Sequence, residues 1–169
     1  MEVASLQAIF QVLAEAEVRY LVAGGVAVNG YGFLRYTKDI DLVVQLTPDN
    51  LRRALKALYS IGYKLTLPVS IDQASNPSQL EEWRTEKGMI VMQLWSDIHR
   101  STPVDIFITE PFAFDDAYEK APIEEISPGI TSRLVPIDQL IEMKRIAGRE
   151  DDLKDIRNLI IIRDQHGKS

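Results

Sequence analysis

Leu6, Ile9, Phe10, Leu13 and Ala16 recur at the three- and four-residue spacing of a helix with one apolar face, so the pattern predicts a helix over 5–17 with Ser5 as its cap. The next stretch, RYLVAGG, reads as a short apolar strand running into a glycine pair, followed by a short helix over 26–33. IDLVVQL (40–46) reads as a second strand. Thr47-Pro48-Asp49 carries the marks of a helix start: a capping residue, proline at the first position and an acidic first turn. Leu51, Leu55 and Leu58 then line one face of that helix, and Gly62 closes it. Residues 63–67 read as a strand, LPVSIDQASNPSQ (67–79) as a polar loop and 78–86 as a short helix.

Two β-rich runs follow, MIVMQLW (89–95) and PVDIFIT (103–109). Residues 112–120 suit a short helix and 122–134 a strand pair or extended connection. Pro136 opens a helix that Gly148 ends, and a last helix covers about 150–163. No internal repeat or linker interrupts this order. Helices alternating with strands imply one α/β (α+β) domain over 1–169, with helices packed on a sheet.

Composition narrows the chemistry. The chain has no cysteine, which removes disulfides, thiolate zinc sites and cysteine nucleophiles, and only His99 and His166 supply imidazole. Any metal would be held by oxygen, which suits Mg2+ or Mn2+. The net charge of -6 argues against a strongly electrostatic nucleic-acid binder without excluding a local basic patch. No apolar run is long enough to cross a bilayer, and an acidic residue stands where a signal peptide would be basic. The expectation is a cytoplasmic protein with no membrane partner.

Three features bear on chemistry. Gly24-Gly25 sits between a strand and a helix, where glycine lets a backbone approach a ligand but also serves purely steric ends. Asp39-Ile40-Asp41 opens the next strand, so its carboxylates share a face while Ile40 turns to the core. They repel unless a cation lies between them; the alternative is a solvated strand end. Asp105 interrupts an apolar strand, with Val104 and Ile106 facing the core, and is either a solvent contact or a third ligand. Lys144 lies on the apolar stripe Ile137, Leu140, Ile141, Ala147, so it either snorkels to water or points into a cleft holding an anion.

Taken together, LVAGGVAVNGYGFLRYTKDIDLVV resembles the signature of the DNA-polymerase-beta-like nucleotidyltransferases: a glycine pair, thirteen residues, D-h-D on a strand, then a distant strand carboxylate. The run from Arg35 to Leu42, and PIDQLIEMKRIAGREDDLKDI near the C-terminus, are most similar to the abortive-infection (AbiEii-like) toxin branch. One departure is that many members have Gly-Ser where this chain has Gly24-Gly25.

The resemblance implies a nucleotidyltransferase fold, a mixed central sheet flanked by helices, with a catalytic core over about 1–110 and a C-terminal helical part over about 111–169. It implies a magnesium-dependent enzyme that moves a nucleoside monophosphate from an NTP to an acceptor hydroxyl and releases pyrophosphate. Asp39, Asp41 and Asp105 would be the catalytic and metal-holding residues. Gly24, Gly25, Thr37 and Lys144 would bind the nucleotide phosphates, supported by Arg35, Arg149, Asp152 and Asp155.

The toxin branch implies RNA, notably the tRNA 3′ end, as acceptor and a cognate antitoxin as partner. Two rival readings stay open: a small-molecule enzyme acting on an aminoglycoside or lincosamide, and a catalytically silent binding or antitoxin module. Arg52, Arg53 and Lys56 form a basic helix face that the RNA reading places near the metal end of the sheet. Trp83 and Trp95 read as packing residues, and Asp115-Asp116 and Asp151-Asp152 as helix starts.

Overall fold

The computed structural model describes residues 1–167. Eight helices and seven strands follow in the order α1 (Val3–Glu15), β1 (Tyr20–Ala23), α2 (Gly24–Gly30), β2 (Ile40–Val44), α3 (Pro48–Ser60), β3 (Tyr63–Leu65), α4 (Ile71–Ala74), α5 (Pro77–Lys87), β4 (Val91–Ser96), β5 (Val104–Phe107), α6 (Phe114–Lys120), β6 (Ile123–Ser127), β7 (Ile130–Arg133), α7 (Ile137–Ala147) and α8 (Glu150–His166). Five strands form one mixed sheet in the order β1-β2-β5-β4-β3. Only β2 and β5 run parallel; β1 against β2, β4 against β5 and β3 against β4 are antiparallel.

One face of this sheet is apolar throughout. Ile40 and Leu42 on β2, Val104 and Ile106 on β5, Met92 and Leu94 on β4, and Tyr63 on β3 are all fully buried. They pack in one core cluster with Leu51, Leu55 and Leu58 of α3 and Ile9 and Leu13 of α1, the two helical stripes expected from their spacing. The other face is covered unevenly. Helix α2 packs against β1 and β2, whereas on β4 and β3 alternate side chains Gln93, Trp95 and Lys64 face water.

A separate hairpin, β6 with β7, joins the main sheet through a bridge between Val22 and Leu134, and Val135 N–H donates to the Val22 carbonyl. Helices α7 and α8 pack together beyond it. Gly148 ends α7 in the left-handed conformation, and its N–H donates to the Lys144 carbonyl at 2.9 Å.

The structure corrects several expectations. Ser5 does not cap α1: the helix begins at Val3, and Ser5 is buried with its hydroxyl 2.8 Å from His99 Nδ1. That contact, and the stacking of His99 on Tyr63, give His99 partners the sequence did not reveal. Residues 67–79 are no continuous loop. Ser70 and Gln73 form a reciprocal capping box that starts α4, and Asn76 accepts from Ser78 N–H to start α5 at Pro77. The S-x-x-Q and N-P patterns of this polar stretch carry the two helix starts. Trp83 is buried as read, whereas Trp95 is 46 % exposed and is not a packing residue.

The largest correction concerns Arg52, Arg53 and Lys56. Helix α3 follows the C-terminal end of β2, while Asp39 and Asp41 lie at its N-terminal end. Thr47 lies six residue steps beyond Asp41, roughly 20 Å at the rise of a strand. Arg52 pairs with Asp49 and Asp72, and Arg53 donates to the carbonyls of Ala16 and Glu17. The two arginines tie α3 to α1 and α4 rather than forming a free basic face at the carboxylates. Among the described residues, no helix is long and apolar enough to cross a membrane.

Candidate functional site

Strand register brings two of the three predicted carboxylates together. Asp41 on β2 stands directly opposite Asp105 on β5. Their side chains share the face opposite Ile40, Leu42, Val104 and Ile106, because successive residues of a strand alternate. Asp39 immediately precedes β2 on the same side. Glycine gives Asp41 its place: Gly24 adopts φ +61°, and a Cβ there would overlap the Asp41 carboxylate. Gly25 is similarly filled in, since a Cβ would meet Thr37 Oγ1 and the Arg35 guanidinium. The segment before β2 thus folds down onto the glycine turn. Its anchors are Asn29, which accepts from Arg35 N–H at 2.9 Å, and the Thr37 hydroxyl, which donates to the Asp39 carbonyl at 3.4 Å.

The electrostatics follow from this packing. Burial pushes the Asp41 carboxyl up to about 6, with Asp105 and Asp39 adding to the rise and Lys144 and Arg149 opposing it. Asp105 is raised as well, by burial first and then by Asp39, while the Gln93 amide beside it pulls the other way. Among the described residues, Asp105 Oδ1 is a buried atom with no hydrogen-bond partner. An acceptor-only oxygen left so costs stability unless something outside the chain satisfies it.

The cations come from the C-terminal helices. Lys144 on α7 is 6 % exposed, and its Nζ lies 2.8 Å from Asp155 and 3.3 Å from Asp152, both buried on α8. Asp155 also pairs with Arg35 at 3.2 Å, joining the segment before β2 to α8. Its Oδ2 meets both cations as an ion pair rather than in hydrogen-bond geometry. Asp152 accepts from Arg149 through both the side chain, at 2.8 Å, and the backbone N–H, at 3.2 Å. Burial opposes its ionisation, but Arg149 and Lys144 outweigh that and hold it below the usual carboxylate range. Lys144 therefore does not snorkel. It is paired and also borders a cleft.

That cleft, about 320 Å³, is lined by Gly24, Gly25, Arg35, Tyr36, Thr37, Lys38, Asp39, Asp41, Lys144, Arg149, Asp151 and Asp152. Every residue predicted for phosphate contact is on its wall, and so are Lys38 and the exposed Tyr36, which sequence reasoning passed over. Asp105 borders Asp41 from the next strand, and Asp155 lies behind the wall under Arg35 and Lys144. A larger depression of about 520 Å³ near Gln45, Thr47, Glu110 and Asp115 opens at the other end of β2, away from the carboxylates.

Among the described residues, no three His, Asp or Glu side chains stand close enough to enclose a metal ion by themselves. Magnesium does not require that: it is commonly held by one or two carboxylates, with phosphate oxygens and waters completing the shell. The adjacent carboxylates, the unsatisfied Asp105 oxygen and the all-oxygen donor set fit such a cation.

No protein-family model and no curated protein sequence matches the chain. Solved structures do. The lincomycin-bound lincosamide antibiotic adenylyltransferase LnuA superposes with a TM-score of 0.64 at 16 % identity, covering 96 % of this chain and 98 % of that one. ANT(2″)-Ia in complex with adenylyl-2″-tobramycin gives 0.60 at 12 %, covering 92 % and 86 %. An antigenic nucleotidyltransferase-like protein from Paracoccidioides brasiliensis gives 0.52 at 19 %, covering 94 % and 73 %. With its five-stranded mixed sheet and flanking helices, the chain has the nucleotidyltransferase fold.

Proposed function

We propose that this protein is a nucleotidyltransferase that moves a nucleoside monophosphate from an NTP to a hydroxyl of a small-molecule acceptor. The observation that carries this reading is the Asp41–Asp105 pair: two half-buried carboxylates in register on parallel strands, Asp105 adding to the cost of ionising Asp41, beside a cleft that also carries four cations. A silent module has no use for such a pair, since clustered negative charge only destabilises it.

Asp39, Asp41 and Asp105 would hold Mg2+ or Mn2+, which when bound neutralises triphosphate charge and aligns the reacting oxygens. The Gly24-Gly25 turn and Thr37 would receive phosphate oxygens, with Asp41, Thr37 and Arg35 packed directly against the two glycines. Lys144, Arg149 and Arg35 would face the triphosphate; with Lys38 they balance the four carboxylates of the wall, Asp39, Asp41, Asp151 and Asp152. Asp105 receives the proton of the acceptor hydroxyl as its oxygen attacks the α-phosphorus, the α–β P–O bond breaks and pyrophosphate leaves. Positioning and charge neutralisation supply most of what this transfer needs.

A small acceptor is favoured over RNA by the engagement of Arg52 and Arg53 elsewhere, which removes the basic face on which the RNA reading relied. The LnuA and ANT(2″)-Ia folds, matched over most of both chains, support the same choice.

Calorimetry with ATP, GTP, CTP and UTP, each with Mg2+ and with EDTA, tests the site. At least one nucleotide is expected to bind about tenfold or more tightly with the metal, the gain from relieving carboxylate repulsion. Equal affinity in EDTA would remove the carboxylates from the binding site.

A further inference from the structure

The sheet face that bears Asp41 and Asp105 does not end with them. Asp105 pairs with Gln93 on β4, and Leu94 pairs with Val104, so extending the register by one residue sets Trp95 beside Pro103 and Pro103 beside Asp39. Gln93 and Trp95 alternate with buried Met92, Leu94 and Ser96 and therefore project on the carboxylate side. Lys64 on β3 lies opposite Trp95 and is exposed on the same side. The grid across this face thus runs Asp39, Pro103, Trp95, Lys64 at one level and Asp41, Asp105, Gln93 at the next. Beyond β2 its side chains Gln93, Trp95 and Lys64 are exposed. Strands β2 and β4 are two steps apart, about 10 Å, so Trp95 stands within the span of one small molecule from the carboxylates.

A tryptophan 46 % exposed in the middle strands of a sheet leaves a large apolar surface uncovered among the described residues, whereas Trp83 is 3 % exposed and packed. Its neighbours define what would cover it. The exposed Gln93 amide offers N–H donors and a carbonyl, the half-buried Asp105 carboxylate beside it accepts, and the indole presents a flat apolar ring with one N–H at its edge. That combination suits a ring with a C–H face and hydroxyls around its rim. Charge decides between occupants. Asp39, Asp41 and Asp105 outnumber Lys64 on this face, which repels a phosphate backbone and accepts a neutral or cationic molecule. One exposed aromatic amid polar neighbours is also less than the apolar core of a stable protein interface, which spans about 800 Å² per partner.

We infer that Trp95 and Gln93 form the acceptor platform, on which a neutral or cationic sugar-like ring lies with one hydroxyl turned to Asp105. This rests on the transfer reading above and adds to it the class of acceptor and the residues that select it. Because Trp83 is buried, acrylamide quenching of tryptophan fluorescence reports Trp95. With Mg2+ and a non-hydrolysable ATP analogue bound, tobramycin, lincomycin or maltose is expected to lower that quenching about twofold.

Trp95→Ala is expected to reduce kcat/KM for the protecting compound by about 10–100-fold, as loss of an aromatic anchor does, through KM and with nucleotide affinity unchanged; Trp95→Phe restores most of it. If the nucleotide binds with Mg2+ but none of the three compounds protects Trp95, the platform is wrong and the transfer reading stands. If no nucleotide binds at all, both fall. Protection by tRNA instead of the saccharides, or protection that rises with protein concentration alone, would reassign the face to nucleic acid or to a second copy and overturn the inference.

Discussion

Asp41→Asn is expected to lower nucleotidyl transfer by about a thousandfold or more while making the metal-free protein more stable at pH 7. The loss follows from removing the carboxylate at the centre of the charged cluster, between Asp39 and Asp105, neither of which occupies its position. The gain follows from linkage. Burial and the neighbouring Asp105 and Asp39 raise the folded-state pKa of Asp41 from 3.8 to about 6. A group raised in this way contributes stability in full below its unfolded pKa, and that contribution is lost as the pH rises through the folded one. Metal-free wild type should therefore weaken between about pH 4 and pH 6, whereas Asp41→Asn should not.

At pH 7 the variant should be the more stable by about 2 kcal/mol, less than the full shift because the carboxyl is partly open to water. The difference should vanish near pH 4. Millimolar Mg2+ with NTP should reverse the order, stabilising wild type alone. Thermal melts of both proteins across this pH range, with and without metal, make the comparison. A variant less stable than wild type at pH 7 would assign Asp41 a structural hydrogen-bonding role.

The second large effect belongs to Asp155. It is 1 % exposed and neutralises Lys144 and Arg35 together, so Asp155→Ala strips a buried lysine of its nearer partner and frees the segment before β2. Removing one member of a buried ion pair costs about 3–5 kcal/mol, which for a chain of this length lowers Tm by roughly 10 °C. The double variant Lys144→Met/Asp155→Leu should recover much of that stability, because Asp152 keeps Arg149 and the remaining Arg35 is partly open to water, yet it should still bind NTP more weakly. A melting temperature unchanged by Asp155→Ala would mean that the pairs are solvated and hold nothing in place.

What could be read without coordinates was whatever rests on local spacing. The helical stripes of α1, α3 and α7, the alternation in β4 and β5, and the αL glycine that ends α7 are properties of neighbouring residues, and they appear where the pattern placed them. The D-x-D carboxylates could be assigned to one strand face for the same reason. Long-range pairing could not be read. Nothing local says that β2 and β5 are adjacent and in register, which is what sets Asp105 against Asp41, nor that β4 lies next with Gln93 and Trp95 on that face.

Arg52 and Arg53 show the same limit from the other side. Their clustering on one helix face was legible, but their partners Asp72, Ala16 and Glu17 come from other elements, and the position of α3 at the far end of β2 is a matter of topology. Lys144 was recognisable as a misplaced charge on an apolar stripe. That it is shared by two aspartates of the following helix required the α7–α8 packing.

The most direct test of nucleotidyl transfer follows the phosphate. The purified protein is incubated with each of the four NTPs labelled at the α-phosphorus, with Mg2+, in the presence of tobramycin, lincomycin or total RNA, and both the labelled product and pyrophosphate are quantified beside Asp41→Asn. The expected result is label on a small-molecule acceptor in equal amount to the pyrophosphate released, absent in EDTA and in the variant. Label only on RNA would contradict the acceptor, and NTP binding without pyrophosphate release from any of the four nucleotides would contradict the transfer itself.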